Sequence, residues 1–417
     1  MNVVFFGNTN NLPLSLALEM RRLGHDARLI VNERAALHRP ENLVPAWKDR
    51  YPDWIRDMSH IEEDDLVCQS LRISPVLEML DSAETLILNG LGPSLMNLLR
   101  RRPTLVLLTG SDLDYNARFS TLAHRSAGWS EAFKVSAVGR LQTSAWRQCI
   151  TRQRAGIKMA DYVSYFPRGF VPEGDALLDD IGVPDRRRVF VYFGDFSPTP
   201  LPEAPAHTGL RIFCGARVTW MKPLPPEASV LDAKGTDLLL HGFARFCAST
   251  DTDVELRLVE KGWHVAEAKG LLEKLGIAER VTWLKEMDRV EFRNELIRAD
   301  IVVDQLDSSV IGMAGLEAMA TGRPLIAAAH NRYWMKRLGQ VPPVCHADSA
   351  DSVCAQLQRL AGDADLRRRI GAESAEFVRK HWSVRAAAET GLKLMNQASS
   401  SFRGRWFRLR LCRGMCN

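Results

Sequence analysis

Short runs of β-branched and apolar residues alternate with amphipathic helical stretches along this chain, and no other feature restricts its fold as much. Val3-Val4-Phe5-Phe6 reads as a buried strand, Leu12 to Leu23 as a helix stopped by Gly24, and Ala27 to Val31 as a second strand. Further strands are expected at Thr85–Asn89, Thr104–Leu108 and Tyr162–Phe166, with helices between them. Apolar strands separated by crossover-length segments belong in a parallel sheet covered by helices on both faces.

The stretch Gly194 to Gly209, GDFSPTPLPEAPAHTG, interrupts this rhythm with a cluster of prolines and reads as a linker. The alternation restarts at Leu210. Strands are expected at 211–214, 254–259, 281–284, 301–304 and 324–328. Helices are expected at 236–248, 266–275, 289–298 (capped by Asp288) and 312–320. The fold class is therefore α/β, with two doubly wound Rossmann-like domains facing a central cleft. The expected divisions are 1–195, a linker at 196–209, 210–383, and a C-terminal helix and tail at 384–417. In such folds the ligand lies at the carboxyl ends of the strands.

Composition removes several function classes. A chain of 417 residues with 46% hydrophobic and 25% charged residues is an ordinary globular protein, and a net charge of +5 is too modest for a nucleic-acid binder. No apolar run approaches the roughly 20 residues of a membrane-spanning helix. The first residues run straight into a strand, without the charged and cleavable segments of a signal peptide, so a cytoplasmic setting is expected. The cysteines, at 68, 149, 214, 247, 345, 354, 412 and 416, show no CxxC pair and read as reduced thiols. The histidines lack H-x-x-x-H or comparable spacing, so no metal is expected. The first strand–helix turn, Gly7-Asn8-Thr9-Asn10-Asn11, lacks the glycine fingerprint of a dinucleotide oxidoreductase.

Four segments of the second half, GARVTWMKP…AKGTDLLLHGFARF, VELRLVEKGWHVAEAKGLLEKLGIAERVTWL, VEFRNELIRADIVVDQ and SSVIGMAGLEAMATGRPLI, resemble in order those of glycosyltransferase family 4 (group 1). The last is the most specific, since Glu317-Ala318-Met319-Ala320-Thr321-Gly322-Arg323-Pro324 repeats the family's E-A-M-A-x-G-x-P run. The family is one of retaining glycosyltransferases of the GT-B type. The resemblance implies transfer of a sugar from a nucleotide-sugar donor to a glycan or lipid-linked acceptor, with no cofactor beyond that co-substrate. It puts Arg217 and Lys234 on the donor diphosphate, with Lys222 a rival for the lysine because about ten residues are inserted between the two. Glu317 is expected on the ribose. Ser309 takes the place of the family's first glutamate. The backbone of Gly312, Met313, Ala314 and Gly315 is expected to open a helix at the anion, where N–H groups and helix dipole favour negative charge.

The first domain resembles the family only in layout. Its Leu108-Thr109-Gly110-Ser111-Asp112 segment places Thr109 where many relatives carry a histidine. Asp112 joins Arg217 and Lys234 in the expected catalytic set as a contact to donor or acceptor, against a plain capping role. The D-x-D of Asp112 and Asp114 also resembles a metal-holding motif of another class. Asn8, Thr9 and Asn10, with Thr109, form the expected contacts to sugar or acceptor hydroxyls.

Two basic segments, 140–158 and the tail FRGRWFRLRLCRGMCN, mix arginines with large apolar residues; the tail suits an anionic membrane surface at the inner face of the plasma membrane. Because Thr109 and Ser309 depart from the family pattern, two other readings stay open: a catalytically inactive nucleotide-sugar or glycan binding protein, and a nucleotide-sugar epimerase.

Overall fold

The computed structural model describes residues 1–414 except 128, 195–202, 204–207, 225–227, 229, 309, 331–333, 337–338 and 340, with the backbone alone for 230 and 401–414. Most of the expected 196–209 linker, and Ser309, thus lie outside the described residues.

The chain divides into two compact units. The first comprises Met1–Pro167, Pro172–Val191 and Ala387–Asn417, and the second Arg168–Val171 with Tyr192–Ala386. In the first, strands β1 (Asn2–Phe6), β2 (Asp26–Val31), β3 (Ile55–Asp57), β4 (Thr85–Leu88), β5 (Thr104–Leu107), β6 (Tyr162–Ser164) and β7 (Arg188–Val189) form a 7-stranded parallel sheet in the order β3-β2-β1-β4-β5-β6-β7. Its central strands are apolar along their length because helices cover both faces: every residue of β4 and β5 is buried.

In the second unit β8 (Leu210–Cys214), β9 (Val254–Val259), β10 (Val281–Leu284), β11 (Ile301–Val303), β12 (Leu325–Ala327) and β13 (Cys345–His346) form a 6-stranded parallel sheet ordered β10-β9-β8-β11-β12-β13. Each sheet reverses its strand order once, between β1 and β4 and between β8 and β11. Loops leaving neighbouring strands there turn to opposite faces, which opens a crevice at the carboxyl ends. Asp288 caps the helix Arg289–Arg298 as expected, accepting from the Glu291 N–H at 2.9 Å. The last helix, Val384–Gly414, carries helical backbone through most of the basic tail. Its residue Gly391 faces Met20 of the helix Leu12–Arg22, which ties the C-terminus to the first unit. No described helix is long and apolar enough to cross a membrane.

The helix Ala137–Met159 fixes the loops around the first reversal. Gln153, fully buried on it, accepts from the Ser94 N–H (3.1 Å) and donates to the Gly90 (2.8 Å) and Asp112 (3.0 Å) carbonyls. One side chain therefore satisfies backbone groups in the loops after β4 and β5. Replacing it strands the Gly90 and Asp112 carbonyls, each at about 1–3 kcal/mol, while the Ser94 N–H keeps the Leu91 carbonyl at 3.0 Å. Gln153→Ala should cost about 2–4 kcal/mol in equilibrium urea unfolding, whereas Gln358→Ala on an exposed helix face should change stability by less than about 0.5 kcal/mol.

Candidate functional site

In the second unit the site is built where β8 and β11 end. The loop after β8 is stitched from both sides: the Val218 N–H donates to the Lys261 carbonyl (2.7 Å), and the Thr219 N–H to the Thr236 hydroxyl (3.1 Å). This holds Arg217 just past the strand. Its guanidinium is half-exposed and faces Asp232, Nη1 to Oδ1 at 3.3 Å. Lys234 comes back to the same place from the far side of the insertion. Its N–H donates to the Thr219 carbonyl (2.8 Å), and its ammonium donates to the Leu231 carbonyl and to Gln305 Oε1 (2.5 Å). Burial pushes the Lys234 pKa below its ordinary value; Asp304 and Asp232 oppose that shift and Arg217 adds to it. Lys222, the rival lysine, is exposed and paired with Asp307 at 2.9 Å.

Asp304 is the residue that orders the other side. Buried at the end of β11, its Oδ2 accepts from the N–H groups of Gly312 (2.9 Å) and Gly315 (3.2 Å) at the start of the helix Met313–Ala320. A Cβ on Gly312 or Gly315 would lie 2.6 or 2.8 Å from that oxygen, so the close approach requires glycine at both. Burial pushes the Asp304 pKa up, while the Lys234 ammonium and these amides hold it down. This corrects the expectation that Gly312 and Gly315 present their amides to a ligand: both amides belong to Asp304. Among the described residues, the Met313 and Ala314 N–H groups have no acceptor.

Glu317, one turn on, is buried and bound by Arg289 of the neighbouring helix, Nη2 to Oε1 at 3.1 Å. Sequence reasoning missed Arg289, and the Asp304–Lys234–Gln305 arrangement was signalled only by an aspartate at a strand end.

In the first unit two expectations are corrected. Asn8 is fully buried and spent on the fold: its amide donates to Asn11 Oδ1 (2.6 Å) and the His38 carbonyl (2.7 Å), and its Oδ1 accepts from the Leu14 N–H (3.0 Å). Asp112 is a buried brace. Its carboxylate accepts from the Thr109 N–H (2.9 Å), the Gly110 N–H (3.0 Å) and Asn89 Nδ2 (2.9 Å), and burial raises its pKa to about 6 despite them. The capping role therefore displaces the catalytic one. Asp114 turns to Arg118 instead (3.3 Å), so the D-x-D carboxylates serve different partners. Thr9, Asn10 and Thr109 remain partly exposed. Glu33, which no motif marked, reaches the ends of β1 and β4: its Oε1 accepts from the Asn8 N–H at 2.6 Å and would lie 3.3 Å from a Cβ on Gly7. Burial pushes its carboxyl above the usual range.

Residues 228–376 match the family described as glycosyl transferases group 1. No curated protein matches the chain. Among solved structures, HepE of Anabaena in complex with UDP and glucose is 13% identical over 95% of this chain and 100% of its own, with a TM-score of 0.62. TarM of S. aureus, bound to fondaparinux, α-GlcNAc-glycerol and UDP, is 10% identical over 95% and 100%, with a TM-score of 0.58. WaaG, a glycosyltransferase involved in lipopolysaccharide biosynthesis, is 13% identical over 94% and 99%, with a TM-score of 0.53.

The electrostatics of Lys234 can be checked directly. Acylation followed by mass spectrometry over a pH series should give Lys234 a midpoint below the ordinary lysine value. Asp304→Asn should move it lower still, because the carboxylate that opposes the burial shift is gone. A midpoint at the ordinary lysine value would contradict the buried placement.

Proposed function

We propose, from the premise that this chain is a glycosyltransferase of the GT-B fold with a group 1 domain in its second unit, that it is a retaining enzyme. It transfers a sugar from a nucleotide-sugar donor onto a glycan or lipid-linked acceptor in bacterial surface-polysaccharide assembly. The carrying observation is that Arg217 and Lys234 lie at the reversal point of the second sheet, within electrostatic range of one another, beside a helix whose Met313 and Ala314 amides have no acceptor among the described residues.

The donor's diphosphate gains charge as the bond to the sugar breaks. Arg217 offers it a planar fork, Lys234 a point charge, and the helix its first-turn amides. These groups stabilise the leaving group most when its charge is largest, so they lower the barrier more than they improve ground-state binding. The leaving diphosphate takes the proton of the incoming hydroxyl, and the clamp needs neither a protein nucleophile nor a metal. Glu317, oriented by Arg289, accepts hydrogen bonds from the donor's ribose. Thr9, Asn10 and Thr109 of the first unit contact sugar or acceptor hydroxyls. UDP in the HepE and TarM complexes supports a nucleotide diphosphate as the donor's core. The tail's arginines and aromatic residues hold the cytoplasmic protein on an anionic membrane face.

In an assay of donor turnover with and without acceptor, Arg217→Ala should lower kcat about a hundredfold or more, and Arg217→Lys should recover only part of the loss. Near-normal turnover in Arg217→Ala would sink the clamp and favour a binding protein, and an epimerised donor in the acceptor-free arm would point to an epimerase. The membrane contact has its own test: deleting 402–417 should abolish flotation with anionic liposomes, each lost arginine being worth about 1 kcal/mol there, and high salt should do the same to the full chain. Equal flotation of the two chains would refute it.

A further inference from the structure

Histidine ligands can come from neighbouring strands without any sequence spacing to announce them. His330 stands three residues beyond β12, and His346 ends β13, where it pairs with Ala327 in the parallel register. The two imidazoles are thereby brought to one edge of the sheet, their ring centroids 4.7 Å apart. Asp348 follows two residues after β13. One ligand atom each from His330, His346 and Asp348 lies within 4.8 Å of the other two.

The spacing of His346 and Asp348 suits an ion better than a hydrogen bond. His346 Nε2 and Asp348 Oδ2 are 3.5 Å apart, too far for a good hydrogen bond. Two ligand atoms each about 2.0–2.1 Å from a tetrahedral ion are roughly 3.4 Å apart. His346 Nδ1 is buried with no hydrogen-bond partner, so no hydrogen bond on that side of the ring competes with Nε2 as the nitrogen that meets Asp348. The backbone beneath the ligands is already set: Gln356 donates to the His346 carbonyl (3.2 Å), and the Asp348 N–H donates to the Ser352 hydroxyl (3.0 Å).

We propose that His330, His346 and Asp348 bind one divalent ion of the Zn²⁺ class. Two imidazoles and a carboxylate favour such an ion over Mg²⁺ or Ca²⁺, which prefer all-oxygen sets, and three protein ligands leave a fourth position for water. The ion joins the segment after β12 to the edge strand β13. Its ligands follow β12 and β13, whereas the sugar-transfer clamp is built on β8 and β11 and uses none of them, so the two readings fail independently.

Zn²⁺ titrated calorimetrically into the chelator-treated full-length chain should bind at one ion per chain and raise its melting temperature. Co²⁺ used as an optical probe should give the visible absorption of a four-coordinate site. His346→Ala and Asp348→Asn should each weaken binding about tenfold or more, and the double variant His330→Ala/His346→Ala should abolish it. Circular dichroism confirms folding of each variant, and Asp348→Asn keeps the test valid should a histidine variant unfold. No saturable binding overturns the proposal. So does binding unchanged in Asp348→Asn and the double variant, which would assign the ion to thiols elsewhere.

Discussion

The second unit is organised around a single buried carboxylate. Asp304 ends the strand β11, draws in the first turn of the helix Met313–Ala320 through two glycine amides, and faces the ammonium of Lys234. A buried negative charge is tolerable only with such partners, and once it has them it sets the distance between strand, helix and lysine. Everything proposed for the donor inherits its position from this arrangement. The helix keeps the amides that Asp304 does not use, Lys234 keeps a charge that burial alone would discourage, and Glu317 follows one turn later against Arg289.

The first unit solves the same problem with different residues. There Asn89, Asp112 and Gln153 bind the loops after β4 and β5 to one another, and Asn8 closes the turn after β1. These side chains are as buried as the apolar core around them, and their hydrogen bonds go to backbone groups of the loops and to one another. Rigidity at the carboxyl ends of the strands thus comes from buried polar side chains. The partly exposed threonines beside them are what such a scaffold presents.

The legible part of the fold was the part with a period. Strands of four or more apolar residues and their crossover helices stand out in the sequence, and the Glu317 run marked the helix after β11. The short strands β3, β7 and β13 did not stand out, because two or three residues carry no alternation and sheet edges bury little. The roles of Asn8 and Asp112 could not be told from their types, since a polar residue in a βα turn can serve a loop or a ligand and only its partners decide. Gly312 and Gly315 were read as offering their amides to an anion, but the anion they meet is Asp304 of the same chain. Arg289 and Glu33 carried no motif; both reach their sites from elements distant in sequence.

The helix Val384–Gly414 lies at the end of the chain but belongs to its first unit. Ala388 and Met395 are fully buried on it, and Gly391 meets Met20. During synthesis, therefore, residues 1–191 emerge long before the surface that covers the helix Leu12–Arg22 exists. The second unit has all its strands and can close first, although its own sequence is translated later. The first unit is completed only once Ala387 and the residues that follow it, Ala388, Gly391 and Met395 among them, have been made. A stop codon just before Ala387 would then do most damage to the half of the protein farthest from it in sequence.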